Sequence, residues 1–191
     1  MILRGPMSLF DDRLHVPTVP TAREHPELSP PIYPLGRQHE KELRRVLLGL
    51  DVAARHHRFG QAASDAYLVD HARRALADAA WVGGAFIDGR LRGVVEVYDR
   101  GGSGCAEAAF VVEQSWRRRG LGWALLREAL RTAAASKMRT LRMIFSRQNW
   151  PMRRLATRAG GRVDIALDEL LVDVALAARA DHASAAGLAQ G

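Results

Sequence analysis

The sequence predicts an α/β domain on a mixed sheet, and three observations predict it. Two short runs of strand character, at 81–87 and 92–98, flank Asp88-Gly89, the dipeptide favoured in two-residue hairpins. Segments with a helical period precede them. After residue 105 the order is strand, helix, strand, helix, then two strands. Alternation of that kind belongs to α/β architectures.

Each element has its own justification. Seven of the eight prolines fall in the first 34 residues, so residues 1–35 are expected to form an extended or disordered arm, with Met7 as a second candidate start. The folded domain is expected from Gly36. A first helix spans His39 to Leu50, with Leu43, Val46 and Leu47 on one face. Asp51 is suited to cap a second helix, DVAARHHRF, and Ser64 or Asp65 a third, which carries Tyr67, Leu68 and His71 at helical spacing. Strands follow at Trp81–Ile87, Arg92–Tyr98 and, after the flexible GGSG, at Cys105–Val112. A helix over Gly122–Lys137 buries Leu125, Ala129, Leu130 and Ala133 and turns Arg127, Glu128 and Arg131 outward. TLRMIFS reads as a strand. Pro151 suits the first turn of the next helix, and Gly160-Gly161 its end. VDIAL and ELLVDVAL close the domain as two strands, and residues 177–191 are expected to be a frayed tail.

Composition limits the function. The chain has 191 residues, 48% hydrophobic and 26% charged, which suits one globular domain. Its net charge of +7 is almost wholly arginine, since Lys41 and Lys137 are the two lysines. The charge is spread along the chain with no basic tail, so direct nucleic-acid binding is not expected. Cys105 is the single cysteine, which allows no intrachain disulfide. With no signal-like or membrane-length apolar run, a soluble cytoplasmic protein is expected. His56-His57 has neither an HExxH pattern nor a cysteine cluster beside it, so no metal site is expected.

One stretch does not fit a purely structural reading. Arg117, Arg118 and Arg119 run into Gly120-Leu121-Gly122 at the start of a helix. Cations are disfavoured there and anions favoured, by about 0.3–1 kcal/mol each. A multiply charged phosphate group held by the glycine loop and helix start would offset that cost. The alternative is a solvated basic turn. A P-loop requires Lys-Ser or Lys-Thr after the glycines, whereas Trp123 follows Gly122. A dinucleotide fingerprint requires a third glycine where Leu125 stands, and an acidic residue where Ser146-Arg147 stand.

Arg117-Arg118-Arg119-Gly120-Leu121-Gly122 resembles the acetyl-CoA-binding motif of the GCN5-related N-acetyltransferases, the GNAT superfamily. A second segment, with Asn149, Met152, Leu155, Ala156, Arg158 and Gly160, resembles that family's asparagine-led strand–helix motif at the expected distance. The resemblance covers roughly residues 40–176. Residues 106–112, the glycine loop and residues 160–169 are further similar to the acetyltransferase domain of bacterial Pat-type protein lysine acetyltransferases, where Ala-Glu precedes the apolar run as Ala106-Glu107 does here.

The resemblance implies a GNAT-like, mostly antiparallel mixed sheet of six to seven strands flanked by helices. It implies acetyl-CoA as acetyl donor and an amine as acceptor, either a protein lysine or a small molecule, with no metal, and a homodimer is common in the superfamily. Arg117, Arg118, Arg119, Gly120, Leu121, Gly122 and Trp123 are implied to hold the pyrophosphate, and Asn149 the pantetheine or adenosine arm. A lysine-like amine is unprotonated in only about one molecule in a thousand near neutrality. A carboxylate that drains the proton is therefore needed, and Glu107 is the expected base, with Glu113 the alternative. Backbone N–H groups near Val111 and Val112, at a distorted part of their strand, are expected to polarise the acetyl carbonyl. Where many relatives carry a tyrosine as general acid, this chain has Ala156. A domain that binds acetyl-CoA without catalysing transfer is the reading from another class.

Overall fold

The computed structural model describes residues 29–176. The expectations for residues 1–28 and 177–191 lie outside the described residues. Ile32–Pro34 form β1, so the folded domain takes in part of the segment expected as an arm. Three helices follow: α1 (Glu40–Leu48), α2 (Val52–Phe59) and α3 (Asp65–Asp78). The Asp51 side chain caps α2 through the Ala54 N–H at 2.7 Å, and Ser64 caps α3 through the Tyr67 N–H at 3.2 Å. Gly60 ends α2 with a φ of 70°, the left-handed conformation open to glycine.

The hairpin joins β2 (Trp81–Ile87) to β3 (Arg90–Asp99), with Asp88 and Gly89 both at positive φ as a primed turn requires. Next come β4 (Cys105–Val112), α4 (Leu121–Ala135), β5 (Thr140–Ser146), α5 (Trp150–Arg158), β6 (Arg162–Ala166) and β7 (Glu169–Ala175). α4 thus starts one residue before the expected Gly122 and stops short of Lys137, which itself takes a left-handed φ of 60°.

The seven strands lie in the order β1-β2-β3-β4-β5-β7-β6. Every pairing is antiparallel except β4 with β5. This is the mixed, mostly antiparallel sheet expected from the resemblance. Alternation sends Val95, Val97, Ala106, Ala108, Leu141 and Met143 to the face covered by α4 and α5. Val94 and Val111 turn to the other face, under Leu43, Leu47 and Leu68 of α1 and α3.

The β4–β5 pairing positions the site. It comprises only Cys105 with Thr140, Ala106 with Leu141, and Glu107 with Arg142. Beyond Glu107 the two strands part, while β4 keeps an unbroken register with β3 as far as Val112. The sheet therefore opens at its middle. The expected distortion within β4 is absent; the divergence from β5 does the opening instead.

Candidate active site

The turn into α4 lies at the open end of this split. Gly120 is the N-cap of α4 with a φ of 85°, and no side chain caps that end, in contrast to α2, α3 and α5. The Trp123 and Ala124 N–H groups bond back to the Gly120 carbonyl at 3.0 and 3.1 Å. The N–H groups of Leu121 and Gly122 have no helical acceptor, as at any helix start. Arg118 is also left-handed, with a φ of 58°. A non-glycine residue there costs about 1–2 kcal/mol. Left-handed residues in such a turn direct N–H groups into a common concavity, a form suited to an anion.

Among the described residues, the three arginines do not pair with carboxylates. Arg117 Nε donates to the Val112 carbonyl at 3.1 Å. The Arg119 guanidinium lies 5.0 Å from the ring centre of Trp116, which also receives Arg92 at 5.4 Å. Trp123, one turn into α4, is covered by the Arg158 guanidinium at 4.2 Å. Gly122 packs where a side chain would crowd Leu155 of α5, with 3.2 Å between an added Cβ and Leu155 Cδ1. This close approach holds the N-terminus of α4 against α5. Asn149 caps α5, its Oδ1 accepting from the Met152 N–H at 3.3 Å. Its carbonyl oxygen thus has a structural task, and its Nδ2 donors remain for other partners.

The two candidate bases have different surroundings. Glu107 stands at the last paired position before β4 and β5 separate, between Tyr98 on β3 and Arg142 on β5. Its side chain is half-buried, and Arg100 Nε approaches at 3.4 Å from an exposed position. Arg142 itself is taken by a two-pronged pair with Asp173 at 2.8 and 2.7 Å, which holds the Asp173 carboxyl below the usual carboxylate range. Glu113 lies one residue beyond β4. It accepts from Arg45 of α1 and, at 2.7 Å, from Arg92 of β3. Burial pushes its carboxyl up, but these two guanidinium groups outweigh burial and hold it low. Glu113 ties α1 and β3 to the start of the basic turn.

Backbone alternation separates the two valines. The Arg100 N–H donates to the Cys105 carbonyl and the Glu113 N–H to the Arg92 carbonyl. Odd-numbered β4 residues thus spend their backbone groups on β3, and Val111 is among them. Even-numbered residues face the side that β5 has left, so the Val112 N–H opens into the split. Ala156 is buried between α5 and the sheet and brings no ionisable group.

Glu96 is the charged residue the sequence reading passed over. It is 1% exposed, the one buried charged residue among the described residues. Arg58 of α2 donates to it, His71 Nε2 of α3 lies at 3.1 Å, and the Tyr98 hydroxyl donates at 2.9 Å. Burial alone would raise its pKa; Arg58 above all, with His71 and Tyr98, reverses this and brings it to about 2. Burial and the Glu96 charge push Tyr98 well above its ordinary value. The available signal was a carboxylate inside the apolar run GVVEVY, opposite a helical histidine and arginine. Through Arg58 the cluster fixes α2 over the sheet, where α2 packs on β4 and β5.

Among the described residues, no group of His, Cys, Asp and Glu is placed to hold a metal, and no helix is long and apolar enough to cross a membrane.

The sequence matches the acetyltransferase (GNAT) family over residues 43–160. Comparison with curated proteins finds no match. Among solved structures, the GNAT domain of S. lividans PAT is similar at 19% identity and a TM-score of 0.65, covering 76% of this chain and 89% of that one. The PaiA N-acetyltransferase from Thermoplasma acidophilum, solved in complex with coenzyme A, is similar at 18% identity and a TM-score of 0.61, covering 78% and 99%. The ribosomal-protein-S18-alanine N-acetyltransferase from Escherichia coli is similar at 13% identity and a TM-score of 0.59, covering 84% and 98%. At these identities the likeness is one of fold.

Proposed function

Because the chain belongs to the acetyltransferase (GNAT) family, we propose that the amine it acetylates is a protein lysine, with Glu107 as the base. It is an acetyl-CoA-dependent N-acetyltransferase, so the open questions are which residues act and on which amine. The observation that carries the reading is the end of β4–β5 pairing at Glu107. It sets a half-buried carboxylate at the point where the split, leading from the uncapped start of α4, narrows into the sheet.

Each residue has a role in this proposal. The N–H groups of Leu121 and Gly122, the turn at Gly120 and the guanidinium groups of Arg117, Arg118 and Arg119 hold the pyrophosphate. Trp123 flanks that turn, and the Nδ2 donors of Asn149 meet the pantetheine or adenosine arm. The Val112 N–H, directed into the split, polarises the thioester carbonyl; Val111 is committed to β3 and supports the strand. Glu107 accepts the proton from the attacking amine, directly or through a water. A C–N bond forms, the C–S bond breaks, and the electron pair leaves on the sulfur of coenzyme A. Ala156 supplies no proton to that sulfur.

The protein-lysine acceptor is supported by Ala106-Glu107 in the Pat-like segment and by the fold likeness to the PAT domain. A cytoplasmic setting and a homodimer belong to the same reading; the exposed outer strand β6 supports the latter.

Turnover with lysine peptides and with small polyamines, read as free thiol released from acetyl-CoA, tests the proposal. Lysine peptides are the expected substrates. Glu107→Gln should lower kcat by about 10²–10⁴ and leave the KM for acetyl-CoA nearly unchanged. Turnover with small amines alone would contradict the lysine acceptor, and an unaltered Glu107→Gln would contradict the base. Tight acetyl-CoA binding with no turnover on any amine would favour the non-catalytic reading.

A further inference from the structure

α5 has two sides. Leu155 turns toward Gly122 of α4, the side of the donor site. Arg153 and Thr157 lie about 160° around the helix from Leu155. They turn toward β6 and β7, where they border a cavity of about 190 Å³. Leu170 and Val172 of β7 floor it, and Val163 and Ile165 of β6 form its outer wall. Val163 pairs with Val172 and Ile165 with Leu170, so alternation turns all four to the face that carries α5. The inner two are buried. α5 leaves the outer two uncovered, with Val163 50% exposed and Ile165 66%.

The polar part of the rim is cationic. Arg147, one residue beyond β5, joins Arg153 and the Thr157 hydroxyl there. Arg45, Arg58, Arg92 and Arg142 each pair with a carboxylate, whereas among the described residues no carboxylate pairs with Arg147 or Arg153. The Arg153 guanidinium lies 4.4 Å from the ring centre of Trp150. That contact steadies the group at the rim without neutralising it.

We propose that this cavity binds a small monocarboxylate with a compact apolar body, an aryl or branched-chain acid. The two guanidinium groups present the forked donors that a carboxylate accepts. The floor and wall call for a body that takes Val163 and Ile165 out of water. Volume sets the size of that body. An apolar cavity of about 150 Å³ takes up benzene, so one ring or a branched chain of similar bulk suits this one. Inorganic phosphate would leave the wall uncovered, and a long acyl chain would exceed the space. The cavity opens on a face of the sheet rather than at the outer edge of β6, so pairing of that edge leaves it accessible. α5 stands between it and the turn at Gly120, and the inference does not depend on the acetyltransferase chemistry.

Titration of the ¹⁵N-labelled full chain with benzoate and isovalerate, followed by NMR, tests it. Benzamide keeps the ring without the charge, and acetate keeps the charge without the body. The two larger carboxylates are expected to bind saturably, in the roughly millimolar range, with amide shifts centred on Thr157, Val163 and Ile165. Benzamide and acetate should each bind at least about tenfold more weakly. Arg147→Gln and Arg153→Gln should each weaken benzoate roughly tenfold and leave acetyl-CoA binding unchanged. Saturating acetyl-CoA should not displace benzoate. No saturable binding by a well-folded chain, benzamide binding as well as benzoate, shifts centred elsewhere, indifference to both arginine variants, or displacement by acetyl-CoA would each overturn the proposal.

Discussion

Replacing Glu96 by glutamine removes one charge and almost no volume from the place where α2, α3 and the sheet meet. The carboxylate is 1% exposed, and the Arg58 side chain that donates to it is 14% exposed. Removing one partner strands the other charge in a medium that solvates it poorly, at a cost of about 3–5 kcal/mol. The lowered pKa of the Glu96 carboxyl points the same way. A carboxyl brought from 4.5 to about 2 corresponds to about 3 kcal/mol, at 1.4 kcal/mol per tenfold. For a domain of this size the loss lowers Tm by roughly 10 °C.

The direction with pH follows from the depressed pKa of Glu96. Its contribution is fully present above 4.5 and is lost as the pH falls toward about 2. Glutamine has nothing to titrate, so the gap between wild type and variant should close over that interval. Urea unfolding followed by far-UV circular dichroism, at neutral pH and again near the bottom of the interval, measures both quantities. A variant within about 1 kcal/mol of wild type at neutral pH, or a gap that stays constant on acidification, would refute the reasoning. Either result would mean that Arg58 finds water or another acceptor once Glu96 is gone.

Two further substitutions probe the supports of the split. Asn149→Ala removes the cap of α5 and should cost about 1 kcal/mol in urea unfolding; if Nδ2 also meets the donor substrate, the KM for acetyl-CoA rises as well, and an unchanged KM limits Asn149 to capping. Gly161→Ala brings a Cβ to 2.4 Å from Val172 Cγ1 and 3.0 Å from the Ala156 carbonyl, so it should destabilise the domain by about 1–3 kcal/mol; a stability equal to wild type would show that the β6–β7 hairpin shifts freely away from α5.

Much of the fold was legible because its signals are local. Asp88-Gly89 marked the hairpin, Ser64 and Asp51 marked helix starts, and Gly120 marked the turn before α4. The misreadings fall where tertiary contact overrides local pattern. Ile32–Pro34 looked like the end of a proline-rich leader, yet their register with Gly83–Ala85 makes them a strand. No sequence period reveals that β5 leaves β4 after Glu107, because that divergence is a relation between segments 35 residues apart. The cluster at Glu96 was hidden for the same reason, since its partners come from two helices and a neighbouring strand position. The basic turn was the most legible part of the site, because helix-end electrostatics penalise three arginines there unless an anion compensates them.

Thermal unfolding of wild type and Gly120→Glu, with and without acetyl-CoA, tests the central claim most directly. Acetyl-CoA at about a hundred times its dissociation constant stabilises the fold by about 2.7 kcal/mol, which is a rise of roughly 5–10 °C. That rise is predicted for wild type. It should vanish for Gly120→Glu, which sets a carboxylate where the proposed site would hold the pyrophosphate. No rise in a well-folded wild type, or an equal rise in the two proteins, would contradict a donor site at the arginine–glycine turn.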